Sequence, residues 1–182
     1  MVPIPVVNFA TWKKRPKAGV VVTASHNPPE YNGLRFRNSD GTGYTVQNKA
    51  IRDIYFSGRF LKKEWNKIGR VVSVPSEVFL SEYSGLIVDR VKVGRKLKVI
   101  LDPGNGAASV IAPQLFRRLG FDIITINSQP DGTFPGRDPD PSAEGKEVLN
   151  ELSRLVTEAK ADFGVAYDGD GDRAVFVDEK GE

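Results

Sequence analysis

Apolar residues recur along the chain in short blocks, separated by breaks rich in Gly, Pro, Asn and Asp. Val6, Phe9 and Ala10 fall at helical spacing over residues 6–12, and Pro5 suits a first helical turn. Residues 18–23 carry Gly-Val-Val-Val-Thr, an apolar run that reads as a buried strand. Residues 24–33 are polar, contain Pro28 and Pro29, and form a loop. Leu34-Arg35-Phe36-Arg37 alternates like a strand, and Ser39-Asp40-Gly41-Thr42-Gly43 is a turn. Thr45 is placed to cap a helix reaching about Ser57. Residues 70–74 read as a further strand. Pro75 opens a helix continued by Val78, Leu80, Tyr83, Leu86 and Ile87.

The same alternation restarts near Gly94. Residues 97–101 are predicted as a strand, and Asp102-Pro103-Gly104-Asn105-Gly106 as a turn into a helix that stops at Gly120. Residues 122–127 are the next strand. Residues 129–141 hold four prolines and form a long loop, and Ser142 caps a helix to about Lys160. Residues 163–167 and 174–177 are strands around a tight loop at 168–173. This order predicts two α/β domains with mixed, largely parallel sheets flanked by helices, meeting between residues 89 and 96. The domains are therefore residues 1–90 and 91–182.

Composition narrows the picture by exclusion. Of 182 residues, 40% are apolar and 27% charged, as in ordinary globular chains. No apolar run approaches the ~20 residues of a membrane-spanning helix, so no membrane association is expected. The formal charge is only +3, and the clusters Lys13-Lys14-Arg15 and Lys62-Lys63 are short and scattered. A nucleic-acid footprint needs a concentrated basic face, so no nucleic-acid partner is expected. Absence of cysteine excludes disulfides, thiolate zinc sites and cysteine nucleophiles, and the single histidine excludes multi-histidine metal sites. These features suit a cytoplasmic setting.

Two loops carry candidate chemistry. Residues 23–33 follow a strand, and α/β folds bind ligands outside the carboxyl ends of their strands. Ser25 is the candidate nucleophile there, next to His26, the chain's one histidine. Adjacent residues of an extended segment point to opposite sides, which argues against His26 as the base of a Ser-His-Asp triad. A plain polar turn is the competing reading.

The second loop is Asp168-Gly169-Asp170-Gly171-Asp172-Arg173. Three carboxylates within five residues repel one another by about 4 kcal/mol per pair at ~4 Å and an effective dielectric near 20. A bound cation removes that cost, and all-oxygen ligands favour Mg²⁺ or Ca²⁺. An EF-hand would also place Asp168, Asp170, Asp172 and Glu179 correctly. Its sixth position should be Gly and is Arg173, and its flanks should be helices. Arginine beside a metal loop points to phosphoryl chemistry.

Taken together, Thr-Ala-Ser-His-Asn-Pro (23–28) and Asp-Gly-Asp-Gly-Asp-Arg (168–173) resemble the signature loops of the α-D-phosphohexomutases, the family of phosphoglucomutase and phosphomannomutase. Pro3-Ile4-Pro5, Asp-Pro-Gly-Asn-Gly-Ala (102–107) and Pro-Asp-Gly-Thr-Phe-Pro-Gly-Arg (130–137) extend the resemblance over the whole chain. It implies a mutase that interconverts hexose 1-phosphate and hexose 6-phosphate through a phosphoserine and a bisphosphorylated sugar. By position, Ser25 resembles the phosphoserine, and Asp168, Asp170 and Asp172 resemble the Mg²⁺ ligands, with Ser25 completing the metal site. Arg173 resembles the arginine at the transferring phosphoryl group, and His26 a residue lining the site that could assist proton transfer. The implied partners are glucose or mannose phosphates.

Two departures accompany the resemblance. After Tyr31-Asn32-Gly33-Leu34 the family commonly has a lysine, a candidate acid/base, and here Arg35 follows. Arginine stays protonated, so Arg35 is expected to bind phosphate rather than move protons. Family chains also have four domains, with a Gly-Ile-Arg-Gly segment before the Pro-x-Pro match and sugar-selecting and phosphate-binding loops after the metal loop. This chain is thus expected to cover most of domains one and two, with the first lacking its opening strands, and to turn over sugar phosphates poorly or not at all. The alternative is a non-catalytic module that binds sugar phosphate or a protein on the retained scaffold. An incomplete sheet edge would favour self-association.

Overall fold

The computed structural model describes residues 1–142 and 147–182. The first unit comprises α1 (Ile4–Lys14), β1 (Gly19–Val22), β2 (Leu34–Arg37) and α2 (Gln47–Ser57). α3 (Ser76–Arg90) follows, then β3 (Lys98–Asp102), α4 (Ala112–Arg118), β4 (Asp122–Thr125), α5 (Asn150–Glu158), β5 (Phe163–Tyr167) and β6 (Ala174–Val177). Short 3₁₀ turns lie at Trp65–Lys67 and Ala107–Val110.

The second unit is a three-layer sandwich around a four-stranded sheet of order β4-β3-β5-β6. β3 pairs in parallel with β4 and β5, and β5 pairs antiparallel with β6. Strand alternation divides the core between two faces. Val99, Leu101 and Val165 face Phe116, Phe121 and Phe163. Ile100, Ala166 and Val177 face Leu152, Val156 and Ala161 beside α5. A Cβ on Gly164 would lie 2.8 Å from both Leu152 Cδ1 and Val156 Cγ2, so glycine there lets α5 lie close against β5. Crossover helices between parallel strands turn the carboxyl ends of β3 and β5 toward one side, where the Asp102 turn and the 168–173 loop emerge.

The first unit is built differently. β1 and β2 form an antiparallel pair joined by the 23–33 loop, with Val20 opposite Phe36 and Val22 opposite Leu34. The parallel pairings all lie in the second unit. α1 packs on β1 and α3, where Phe9 meets Tyr83 edge to face at 5.6 Å. α3 also packs on α4 and so joins the two units. Among the described residues no helix is long and apolar enough to cross a membrane.

Several local expectations change. The run at 20–22 is not buried on both faces: only Val21 is buried, while Val20 and Val22 are exposed. Residues 70–74 are not a strand; Val71 is 97% exposed, and no described strand lies alongside to pair with it. An isolated apolar run has no partner for its backbone groups and gains nothing by extending. Thr45 does not cap α2, whose cap position is Val46 and lacks a side-chain hydrogen bond. Ser142 does not cap α5, which starts after Leu149. Instead the Ser142 N–H and hydroxyl donate to Asp140 Oδ1 at 3.0 and 2.7 Å. The intervening residues 143–146 of that expected helix lie outside the described residues. The helix expected up to Gly120 divides into the 3₁₀ turn and α4, with Pro113 in the first turn of α4.

Candidate active site

The two loops that carry the candidate chemistry meet face to face. The Ser25 carbonyl lies so close to Gly169 that a Cβ there would stand 2.5 Å from it. The metal-type loop is also fixed to the first unit from behind, because Ile4 N–H, at the start of α1, donates to the Asp170 carbonyl at 3.0 Å. Pro3 and Pro5 flank that contact.

Ser25 has φ +63, a left-handed conformation uncommon for a non-glycine residue. Its N–H donates to Thr23 Oγ1 at 2.9 Å, which holds the turn. Arg173 Nη2 donates to Ser25 Oγ at 3.0 Å, and Arg173 Nε donates to Asp168 Oδ2 at 3.0 Å. One guanidinium thus joins the candidate nucleophile to the carboxylate cluster.

Asp168, Asp170 and Asp172 each place an oxygen within 4.8 Å of the others. Asp168 is fully buried and Asp170 nearly so. Burial dominates both, raising the Asp168 carboxyl to about 6 and Asp170 above its ordinary value. The backbone N–H groups of Asp172 and Arg173 donate to Asp168 Oδ1. Asp170 Oδ1 is buried without a hydrogen-bond partner. Arg35 Nη1 lies 3.2 Å from Asp172 Oδ2 and 4.0 Å from Asp170 Oδ2. Three carboxylates therefore face two guanidiniums, a formal balance of −1. A divalent cation would change it to +1, which suits a phosphoryl dianion. Oxygen donors, an orphaned buried carboxylate oxygen and the residual negative charge fit a hard divalent cation. An EF-hand does not fit, since the loop joins two antiparallel strands.

His26 does not face Ser25 Oγ as a base. Its Nδ1 instead meets Arg173 Nη2. Its Nε2 lies 3.8 Å from Asp140 Oδ2. All seven sequence-predicted residues, Ser25, His26, Arg35, Asp168, Asp170, Asp172 and Arg173, meet in this one place.

Residues 1–62 match the family model for phosphoglucomutase/phosphomannomutase alpha/beta/alpha domain I, and residues 79–181 match that for domain II. The chain belongs to the phosphoglucomutase/phosphomannomutase family. It is 43% identical, over its whole length, to a probable phosphoglucosamine mutase of Methanothermobacter thermautotrophicus, and spans 39% of that protein. It is 41% identical to a phosphoglucomutase/phosphomannomutase of Thermococcus kodakarensis, with 98% of this chain and 39% of that one covered. A phosphopentomutase from the same organism is also 41% identical, over all of this chain and 39% of its own. Among solved structures, a phosphoglucomutase/phosphomannomutase family protein from Burkholderia thailandensis superposes with a TM-score of 0.86 at 32% identity, over all of this chain and 40% of that one. The chain thus spans about two fifths of the length of the relatives it matches.

This family member also uses residues to which the sequence alone assigns no role. Asp102 and Arg137 form a buried ion pair, with Arg137 Nε donating to Asp102 Oδ2 at 2.5 Å. Arg137 Nη2 also donates to the Asp102 and Tyr167 carbonyls, at 3.1 and 2.7 Å. The proline-rich loop is thereby pinned across the ends of β3 and β5, which brings Asp140 to His26. Thr23 belongs to the first signature loop without an evident role there, yet its hydroxyl donates to Asp170 Oδ2 at 2.9 Å. Spacing could not find Asp140 or Thr23, since their partners lie more than a hundred residues away in sequence.

Proposed function

We propose that this chain is the phosphoserine- and metal-bearing part of a phosphohexomutase that interconverts hexose 1-phosphate and hexose 6-phosphate. The observation that carries the reading is Arg173, 3.0 Å from Ser25 Oγ and 3.0 Å from Asp168 Oδ2 at once. A cation bonded to both the Ser25 hydroxyl and the carboxylate cluster supports phosphoryl transfer by positioning and charge neutralisation. Asp168, Asp170 and Asp172 would hold Mg²⁺, with an oxygen of phosphorylated Ser25 as a further ligand. When bound, the ion supplies charge neutralisation at the phosphoryl oxygens.

This chain's own residues divide the remaining work. Ser25 carries the phosphoryl group, and its left-handed turn lifts Oγ toward Arg173. Arg173 draws off developing charge. Arg35, always charged, binds a phosphoryl oxygen and takes no part in proton transfer. His26, between Arg173 and Asp140, lines the site. The mutase names of the similar proteins support the reaction class. Their spread over glucosamine, glucose, mannose and pentose phosphates at similar identity supports leaving the sugar to be chosen outside these residues. The single-sided pairing of β1 also favours self-association.

Incubation with glucose 1,6-bisphosphate and Mg²⁺, followed by intact-mass measurement, tests the reading. A mass gain of one phosphoryl group that disappears in Ser25→Ala supports it. An unmodified chain under these conditions, or a gain that persists in Ser25→Ala, overturns it.

A further inference from the structure

Thr23 sits at the junction of the two loops and makes three contacts of different kinds. Its backbone N–H donates to the Gly33 carbonyl at 3.0 Å, closing the 23–33 loop on itself. Its hydroxyl oxygen accepts the Ser25 N–H at 2.9 Å. The same hydroxyl donates its one proton to Asp170 Oδ2 at 2.9 Å, across 147 positions of sequence.

The consequence for Asp170 is directional. With Oδ2 engaged by Thr23, the carboxylate plane is fixed and Oδ1 is the oxygen left without a partner. The consequence for Ser25 is equally specific. A left-handed turn at a non-glycine residue is sterically unfavourable and needs local support. The Ser25 N–H bond to Thr23 supplies it. We propose that Thr23 is a positioning residue that couples the two halves of the site: its hydroxyl orients Asp170 for the divalent cation and, through the same oxygen, holds the Ser25 backbone in its presenting turn. The proposal rests on the metal-and-phosphoserine reading above and adds a residue that ties one function to the other.

Hydrogen-bonding partners behind metal ligands typically change affinity by about 10–100-fold when removed. Valine matches threonine in shape but lacks the hydroxyl, and serine retains it. The test measures Mg²⁺ affinity by calorimetry in the 182-residue chain, Thr23→Val, Thr23→Ser and Asp170→Asn, together with hydrogen exchange of the Ser25 amide. Expected are Mg²⁺ binding weakened about 10–100-fold in Thr23→Val, faster exchange at Ser25, and recovery of both in Thr23→Ser. A role limited to folding would move the unfolding midpoint of Thr23→Val without this paired loss and recovery.

The failures are distinguishable. If the unaltered chain binds Mg²⁺, loses it in Asp170→Asn, and keeps it in Thr23→Val, the positioning role alone is overturned. The positioning role also falls if a folded Thr23→Ser binds as weakly as Thr23→Val. If the unaltered chain binds no Mg²⁺, or Asp170→Asn binds as well as the unaltered chain, the metal reading and the Thr23 role fall together.

Discussion

Val20-Val21-Val22 and Val99-Ile100-Leu101 are the same kind of sequence, three consecutive aliphatic residues in a strand that feeds a loop of the site. Their surroundings differ. In β3 all three are fully buried, because α4 and α5 cover opposite faces of the sheet and strands flank both edges. In β1 only Val21 is buried, against the α1 side, and Val20 and Val22 stand 53% and 68% exposed beside Phe36 and Leu34. An apolar run thus records that two faces are meant to be covered, whereas burial depends on which elements are present to cover them. The first unit's strand is covered on one face and the second unit's on both.

That contrast is sharpest at the buried guanidiniums. Arg137 faces the buried carboxylate of Asp102 in the second unit. Arg37, also buried, donates to the neutral Asn8 Oδ1 at 2.6 Å in the first. Removing one partner of a buried ion pair leaves an uncompensated charge and costs about 3–5 kcal/mol. Losing a hydrogen bond with a neutral partner costs about 1–3 kcal/mol. Arg137→Met is therefore expected to lower unfolding free energy more than Arg37→Met, as read by urea denaturation. Equal losses would break the distinction between a guanidinium held by a carboxylate and one held by a neutral amide.

The strands give the next largest effect. Leu101→Ala removes a fully buried side chain and should cost roughly 3 kcal/mol, through lost burial and an unfilled cavity. Val22→Ala, on the exposed face of β1, should fall within about 0.5 kcal/mol of the unaltered chain. A cost for Val22→Ala approaching that of Leu101→Ala would show that its face is covered in solution, for instance by a second copy.

The same physics explains what the sequence made legible. The second unit's strands and the α/β class follow from local alternation, and every strand expected there is present because each has a neighbouring strand to pair with. The seven candidate residues that meet in the structure were also readable, six of them because the two loops concentrate their chemistry within a few consecutive positions and Arg35 because it follows the first loop in β2. Residues 70–74 failed as a strand for want of a neighbour, which no local pattern encodes. Thr45 and Ser142 have the right side chains for helix caps, yet the helices start at later residues. Thr23 and Asp140 escaped because their contacts with Asp170 and His26 exist only after the two units meet. His26 could be identified but not oriented, since its Arg173 contact spans the same junction.

The smallest expected stability effect carries the largest lesson about association. β1 pairs with a single strand, and its outward face presents Val20 and Val22 beside Leu34. Exposed strand edges with apolar neighbours pair readily with other chains, and a charge on such a strand suppresses pairing. Val20→Lys replaces an exposed side chain, so the unfolding free energy of the isolated chain should change by no more than about 0.5 kcal/mol. Its effect on mass should be larger. Light scattering is expected to show concentration-dependent association in the unaltered chain and a shift toward monomer in Val20→Lys. Because Val20 lies three residues before Thr23 and its side chain faces away from buried Val21, Mg²⁺ affinity should stay unchanged. A clean monomer at high concentration in the unaltered chain would mean that apolar exposure on β1 is not sufficient to drive pairing. Association unchanged in Val20→Lys would place the contact elsewhere, with exposed α2 the next surface to vary, since none of its residues is buried.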